Sequence, residues 1–152
     1  MGRLSMARIA VQDAEFDVAA ETALLTQGRT DIGAVASFIG ICRADDGLAA
    51  MVLEHYPAMT ERAMQKIAAE AEARWLLTGC TLIHRVGRLE PGAPIVLVLT
   101  ASGHRAAALE SCAFLMDWLK TKAPFWKREE FTAGHARWVE ARAEDEAAAT
   151  RW

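Results

Sequence analysis

The sequence predicts an α+β fold with a mainly antiparallel sheet packed by helices. Three observations carry this expectation. Stretches near residues 60–75 and 104–122 place apolar residues at helical spacing. Short apolar runs bounded by glycine, proline and polar turns lie between them, which is the pattern of strands. Two pairs of such runs, 34–41 with 50–56 and 125–131 with 137–141, flank turn-forming stretches and so suggest antiparallel hairpins.

Residues 7–11 read as a first short strand. Asp17 can cap a helix running to about residue 27, because its carboxylate accepts from the free amides of the first turn, and Gly28 ends it. The run AVASFIGI at 34–41 is a buried-type strand closing near Gly40, and ADDG at 44–47 turns the chain through a mobile loop into the strand 50–56. Pro57 ends that strand, and Thr60 is the expected N-cap of the next helix. Its core stripe is Ala63, Ile67, Ala71 and Trp75. Residues 81–86 read as a strand after Gly79, GRLEPG at 87–92 as turn, and 95–100 as a central strand. The longest helix runs from His104 to about Lys122, with Ala108, Cys112, Leu115 and Leu119 inward. Pro124 ends it, since proline disfavours helical geometry at the residue before it. A hairpin around TAGH and a short helix at 144–151 complete the chain. No repeat or linker divides it, so residues 1–152 are expected to form one domain.

Composition limits what this domain can do. Hydrophobic residues make up 53% and charged residues 24% of 152 residues, enough for a core without disulfides or a metal staple. A formal net charge of −3 supplies no general attraction to nucleic acid or membrane, so any anion site must be a local basic cluster. Cys42, Cys80 and Cys112 are widely spaced and form no zinc-like pattern, so no metal and no cofactor is expected and the setting reads as reducing and cytoplasmic. The longest apolar stretch, 94–101, is too short to span a bilayer.

Three segments carry candidate chemistry. SGHR at 102–105 lies where a strand meets a helix; free amides there favour an anion, and His104 and Arg105 add donors. A solvated turn is an equal reading of the bare motif. WLKTKAPFWKRE at 118–129 sets three lysines and an arginine among three large aromatics around a helix break. Lys120 shares a helix face with Met116, and Lys127 lies beyond Pro124, so it can approach from another element. Aromatic walls would desolvate an ammonium and suit it to proton transfer. The plainer reading lets the stems lie along apolar surface with the ammonium groups in water. FIGICR at 38–43 ends in Arg43, whose planar fork suits a phosphate or carboxylate. Cys42 reads as a small buried hydrophobe rather than a nucleophile, and His84 as a core histidine rather than a ligand.

In order along the chain, LEHYPAMTERAM (53–64), IHRVGRLEPG (83–92), SGHR, LKTKAPFWKRE (119–129) and RWVEAR (137–142) resemble the large, catalytic subunit of molybdopterin synthase. The resemblance runs from about residue 34 onward. It implies an α/β hammerhead-type fold and a homodimer within a heterotetramer. The implied partner is a small ubiquitin-like sulfur-carrier subunit whose C-terminal Gly-Gly bears a thiocarboxylate. Two sulfur transfers would then convert cyclic pyranopterin monophosphate into the dithiolene of molybdopterin. By the same resemblance Lys120 and Lys127 are catalytic, while Arg43, His104 and Arg105 bind substrate. Arg142 matches an arginine that reaches a neighbouring protomer's site, and Phe38 and Met116 line the pocket. FIGICR departs from the family, which often has a polar residue after the glycine and valine before the arginine. Two other classes remain: an RNA-binding module built on the Trp/Lys/Arg cluster, and an enzyme carrying sulfur on Cys42.

Overall fold

A computed structural model describes residues 6–44, 47–139 and 143–152. In chain order its elements are β1 (Arg8–Gln12), α1 (Val18–Thr26), β2 (Ala34–Ile41), β3 (Leu48–His55), α2 (Pro57–Trp75), β4 (Gly79–Arg85), β5 (Gly87–Leu89), β6 (Pro94–Ser102), α3 (Arg105–Thr121), β7 (Phe125–Phe131), β8 (Ala136–Val139) and α4 (Ala143–Ala149). The strands form two four-stranded sheets, β1-β4-β6-β2 and β5-β3-β7-β8. β1 runs parallel to β4, and the other pairs are antiparallel. This is a mixed α+β architecture whose antiparallel pairing is divided between two sheets.

Strand β6 explains the first sheet. It is apolar on both faces because it is covered on both. Val96 and Val98 point to one side, where they pack with Met64 and Ile67 of α2 and Cys112 and Leu115 of α3. Leu97 and Leu99 point to the other, against Phe16, Val18 and Leu25. The second sheet has its own small core of Cys42, Leu48, Met51, Leu53 and Leu89.

Several expected elements form as read. The Asp17 carboxylate accepts from the Ala20 amide over 3.0 Å and starts α1. Ala108, Cys112, Leu115 and Leu119 all lie on the buried face of α3. Three expectations are corrected. β2 and β3 are not a hairpin. The ladder of β2 with β6 continues to Cys42, whose amide donates to Ala93 O over 2.8 Å. The chain then passes to the second sheet, where β3 finds β5 and β7 as partners and buries its apolar residues between them.

Thr60 is not a cap either. Helix α2 begins three residues earlier with Pro57 at its first turn, where a missing amide hydrogen costs nothing and the fixed φ is already helical. Thr60 is fully buried, and its hydroxyl donates to Pro124 O over 3.3 Å. Residues 87–89, expected as turn, form a short strand on β3. Among the described residues, no helix is long and apolar enough to cross a membrane.

Candidate active site

A cavity of about 600 Å³ opens where the end of α3, the end of β2 and one face of the second sheet converge. Helix α3 brings Met116 and Lys120 to it, one turn apart on the same side. The chain then breaks. The amides of Lys122 and Ala123 close back on Trp118 O at 2.8 and 3.1 Å, and β7 starts at Phe125.

Strand alternation selects the residues of β7 that enter the site. Phe125, Lys127 and Glu129 line the cavity, while Trp126, Arg128 and Glu130 occupy the opposite face. The register confirms the sorting: Lys127 is opposite Leu53 and Val139, Glu129 is opposite Met51 and Arg137, and all four partners line the cavity. Lys120 from a helix and Lys127 from a sheet therefore share one space. Arg43, just beyond β2, enters from a third side.

This geometry changes the expected aromatic enclosure. Trp126 is 42% exposed and meets Tyr56 edge-on with ring centroids 4.8 Å apart, away from the lysines. Trp118 lines a separate hollow of about 210 Å³ with Phe114 and Trp152. Of the three aromatics, only Phe125 lines the lysine cavity. The Trp/Lys/Arg cluster is thus dispersed over several surfaces and makes no continuous stacking platform of the kind single-stranded RNA requires.

The other expected residues fall elsewhere. His104 precedes the first turn of α3 in extended conformation, and Arg105 begins the helix; both are exposed. At about 1.5 Å per residue, roughly 24 Å of helix separates His104 from Lys120. One copy of the chain does not bring them together. Phe38 is 37% exposed on β2, on the strand face shared with Gly40, and lies outside the cavity wall that Gly40 joins. Arg142 lies outside the described residues. Cys42 is buried, its Sγ 3.9 Å from Leu89 O, and is not among the cavity-lining residues. Among the described residues, no group of three or more His, Cys, Asp or Glu is placed to hold a metal.

The structure adds residues that the sequence reading did not place here. Arg137 reaches Glu129 across the β7–β8 ladder, Nη2 to Oε2 at 3.5 Å, and both line the cavity. Glu129 lies two positions after Lys127, so strand alternation alone signals it; Arg137 needs the hairpin register. Glu144 and Asp145 at the start of α4 add carboxylates to the rim. His84 is the least expected. It is a core histidine, 7% exposed, and at the same time lines the cavity that holds Lys120. Its ring stacks on Phe125 with centroids 3.9 Å apart, and Nδ1 lies 2.8 Å from Arg85 O. Burial disfavours its charged form and, with the nearby charges of Lys120 and His55, outweighs the Arg85 hydrogen bond, so its pKa falls to about 4.

Comparison with known proteins gives one consistent likeness. A family model described as MoaE protein matches residues 11–122. The molybdopterin synthase catalytic subunit of Mesorhizobium japonicum is 56% identical over 146 residues, spanning 95% of this chain and 92% of that protein. The same subunit of Pseudomonas aeruginosa is 54% identical over 147 residues, spanning 95% and 97%. The solved molybdopterin biosynthesis MoaE protein from Burkholderia ambifaria superposes with a TM-score of 0.83 at 52% identity, covering 97% of this chain and 98% of that one.

Proposed function

The chain belongs to the MoaE protein family, the catalytic subunits of molybdopterin synthase, and from that premise we propose that its 600 Å³ cavity is the sulfur-transfer site. The enzyme is a sulfurtransferase that works with a small sulfur-carrier subunit. The carrier is ubiquitin-like, and its C-terminal Gly-Gly thiocarboxylate enters beside Lys120 and Lys127. Cyclic pyranopterin monophosphate receives the sulfur in two successive steps to form the dithiolene. The chain acts as one domain, in the cytoplasm.

The observation that carries this reading is the convergence of Lys120, Lys127 and Arg43 from three separate elements on one cavity of a chain with net charge −3. Both reactants are anions and repel each other in a partly enclosed space. Fixed cations offset that repulsion where water is reduced, and the effect is strongest where charge builds in the transition state. In this reading Lys120 and Lys127 orient the thiocarboxylate and move protons as each new C–S bond to the pterin forms, water cleaves the carrier's acyl C–S bond to leave its C-terminal carboxylate, and the cyclic phosphate opens. Arg43 holds the phosphate, and Met116 forms the apolar wall.

His104 and Arg105 join this site from a second copy. Strand β2 lies at the edge of its sheet, and Val35, Ile39 and Ile41 on its outer face are 37%, 38% and 56% exposed. One end of β2 pairs with Ser102 beside His104, and the other leads to Arg43. Two copies meeting antiparallel along β2 would carry His104, Arg105 and Phe38 of one toward Arg43 of the other, and Arg142 would reach across the same interface. This is the homodimer of the heterotetramer.

The test is the reconstituted reaction with thiocarboxylated carrier and pterin substrate. Lys120→Ala is expected to abolish product formation and Lys127→Ala to reduce it strongly. Normal turnover by Lys120→Ala would remove this residue, and the mechanism built on it, from the reaction.

A further inference from the structure

His84 is buried, titratable and unused by the mechanism above, yet it lines the same cavity as Lys120. Its surroundings hold it rigidly. Nδ1 is 2.8 Å from a carbonyl oxygen, which can only accept, so Nδ1 carries the proton in the neutral ring. That carbonyl belongs to Arg85, whose own guanidinium is tied to Pro94 O at 3.0 Å and Asp13 O at 2.9 Å. Phe125 stacked at 3.9 Å limits rotation of the ring. Nε2 is left as a lone-pair acceptor on a side chain that borders the cavity.

Lys120 presents the complementary problem. An ammonium has three donors and no acceptor, on a flexible four-carbon stem, so something must fix where it sits. A carboxylate would do so but would cancel the charge that the anionic sulfur donor needs. A neutral acceptor fixes the ammonium and leaves its charge intact.

We propose that His84 is a positioning residue for the transfer reaction: with Nδ1–H committed to the Arg85 carbonyl, its Nε2 accepts from the Lys120 ammonium and sets where that ammonium meets the sulfur donor. The groups whose charges bear on the ring are Lys120 of α3 and His55 of β3; together with burial, they keep the imidazole neutral, with its pKa down near 4. The positive charge of Lys120 therefore favours the form of His84 that can accept from it.

This inference rests on the sulfur-transfer reading, and its test separates the two. Nitrogen-15 NMR of the histidines in the full chain requires no turnover. At neutral pH His84 is expected to be protonated at Nδ1 and bare at Nε2, and Lys120→Met is expected to move the Nε2 resonance downfield as a donor is lost. A protonated Nε2, or a resonance that does not move, overturns the assignment whether or not the chain transfers sulfur. In the reconstituted reaction, His84→Phe keeps the stack and loses the acceptor. It is expected to lower kcat on the order of tenfold, with KM changed by less than about twofold. His84→Gln, which restores an acceptor oxygen, is expected to recover part of that loss. Equal losses in both variants at unchanged melting temperature would reduce His84 to packing and overturn the proposal. A wild-type chain that transfers no sulfur would sink the functional reading and leave the NMR result standing.

Discussion

The hydroxyl of Thr60 donates to the carbonyl oxygen of Pro124 over 3.3 Å, joining the first turn of α2 to the break between Lys120 and Lys127. The two lysines leave this break on different elements, so the bond helps set the angle at which they meet. Thr60→Val keeps the volume and removes the donor. It is expected to destabilise the protein by about 1 kcal/mol, because the part-buried Pro124 carbonyl loses this donor. Turnover should fall below that of an equally destabilised variant elsewhere. Chemical denaturation together with kcat checks both, and a stable, fully active variant would show that the break holds its shape without Thr60.

His104 and Lys120 are separated by the length of α3, so they can serve one site only from two copies. Lys120→Ala and His104→Ala, each inactive alone, should complement each other when mixed and allowed to exchange subunits. Half of the dimers would be hybrids with one intact site each, and the expected activity is about a quarter of wild type. No recovery despite demonstrated exchange would place both residues in one copy's site or remove His104 from it.

His84 gives stability a pH dependence of known sign. Its folded pKa, about 4, lies below the ordinary 6.5. Between these values the unfolded chain takes up a proton that the folded chain refuses, so stability falls as pH drops through this window. Only about a pH unit above 6.5 is the imidazole neutral in both states, where it contributes no slope. The stability difference between wild type and His84→Gln is expected to shift by about 3 kcal/mol against wild type from pH 7 to pH 4. Urea denaturation across this range measures it. A constant difference would mean that the folded protein protonates His84 freely.

The three thiols are buried, and burial pushes Cys112 up to about 11 and Cys80 higher still. Iodoacetamide should therefore label the native chain slowly and all three positions once urea is added. Activity with the carrier should survive native treatment, because the sulfur arrives on the partner. Rapid labelling of Cys42 with loss of turnover would revive the alternative in which this chain carries the sulfur itself.

Patterns that depend on near neighbours were legible. The inward residues of α3 follow from helical spacing, and the double-sided apolarity of β6 marks it as central. Asp17 and Pro124 act through the one or two turns beside them. Lys120 and Met116 share a face for the same reason. The family resemblance supplied the lysine pair and the arginine beyond β2, and the motifs behind it are contiguous stretches.

Other features were not legible, because they depend on which distant element comes alongside. Adjacent strands such as β2 and β3 look like a hairpin until β6 takes the first and β5 and β7 take the second. Thr60 has the chemistry of a cap, and only the position of Pro124 gives its hydroxyl another use. Trp126 is a neighbour of Lys127 in sequence but points to the other face of the sheet, whereas Arg137 enters the cavity through hairpin register.

The lysine-bearing segment and its helix break were determined by the sequence itself, since helix periodicity and the proline effect act over a few residues. That Lys120 and Lys127 share a cavity with Arg43 and His84, and that His104 does not join them within one copy, was decided by tertiary structure. Burial and strand register arise between segments far apart in the chain, and no local pattern encodes them.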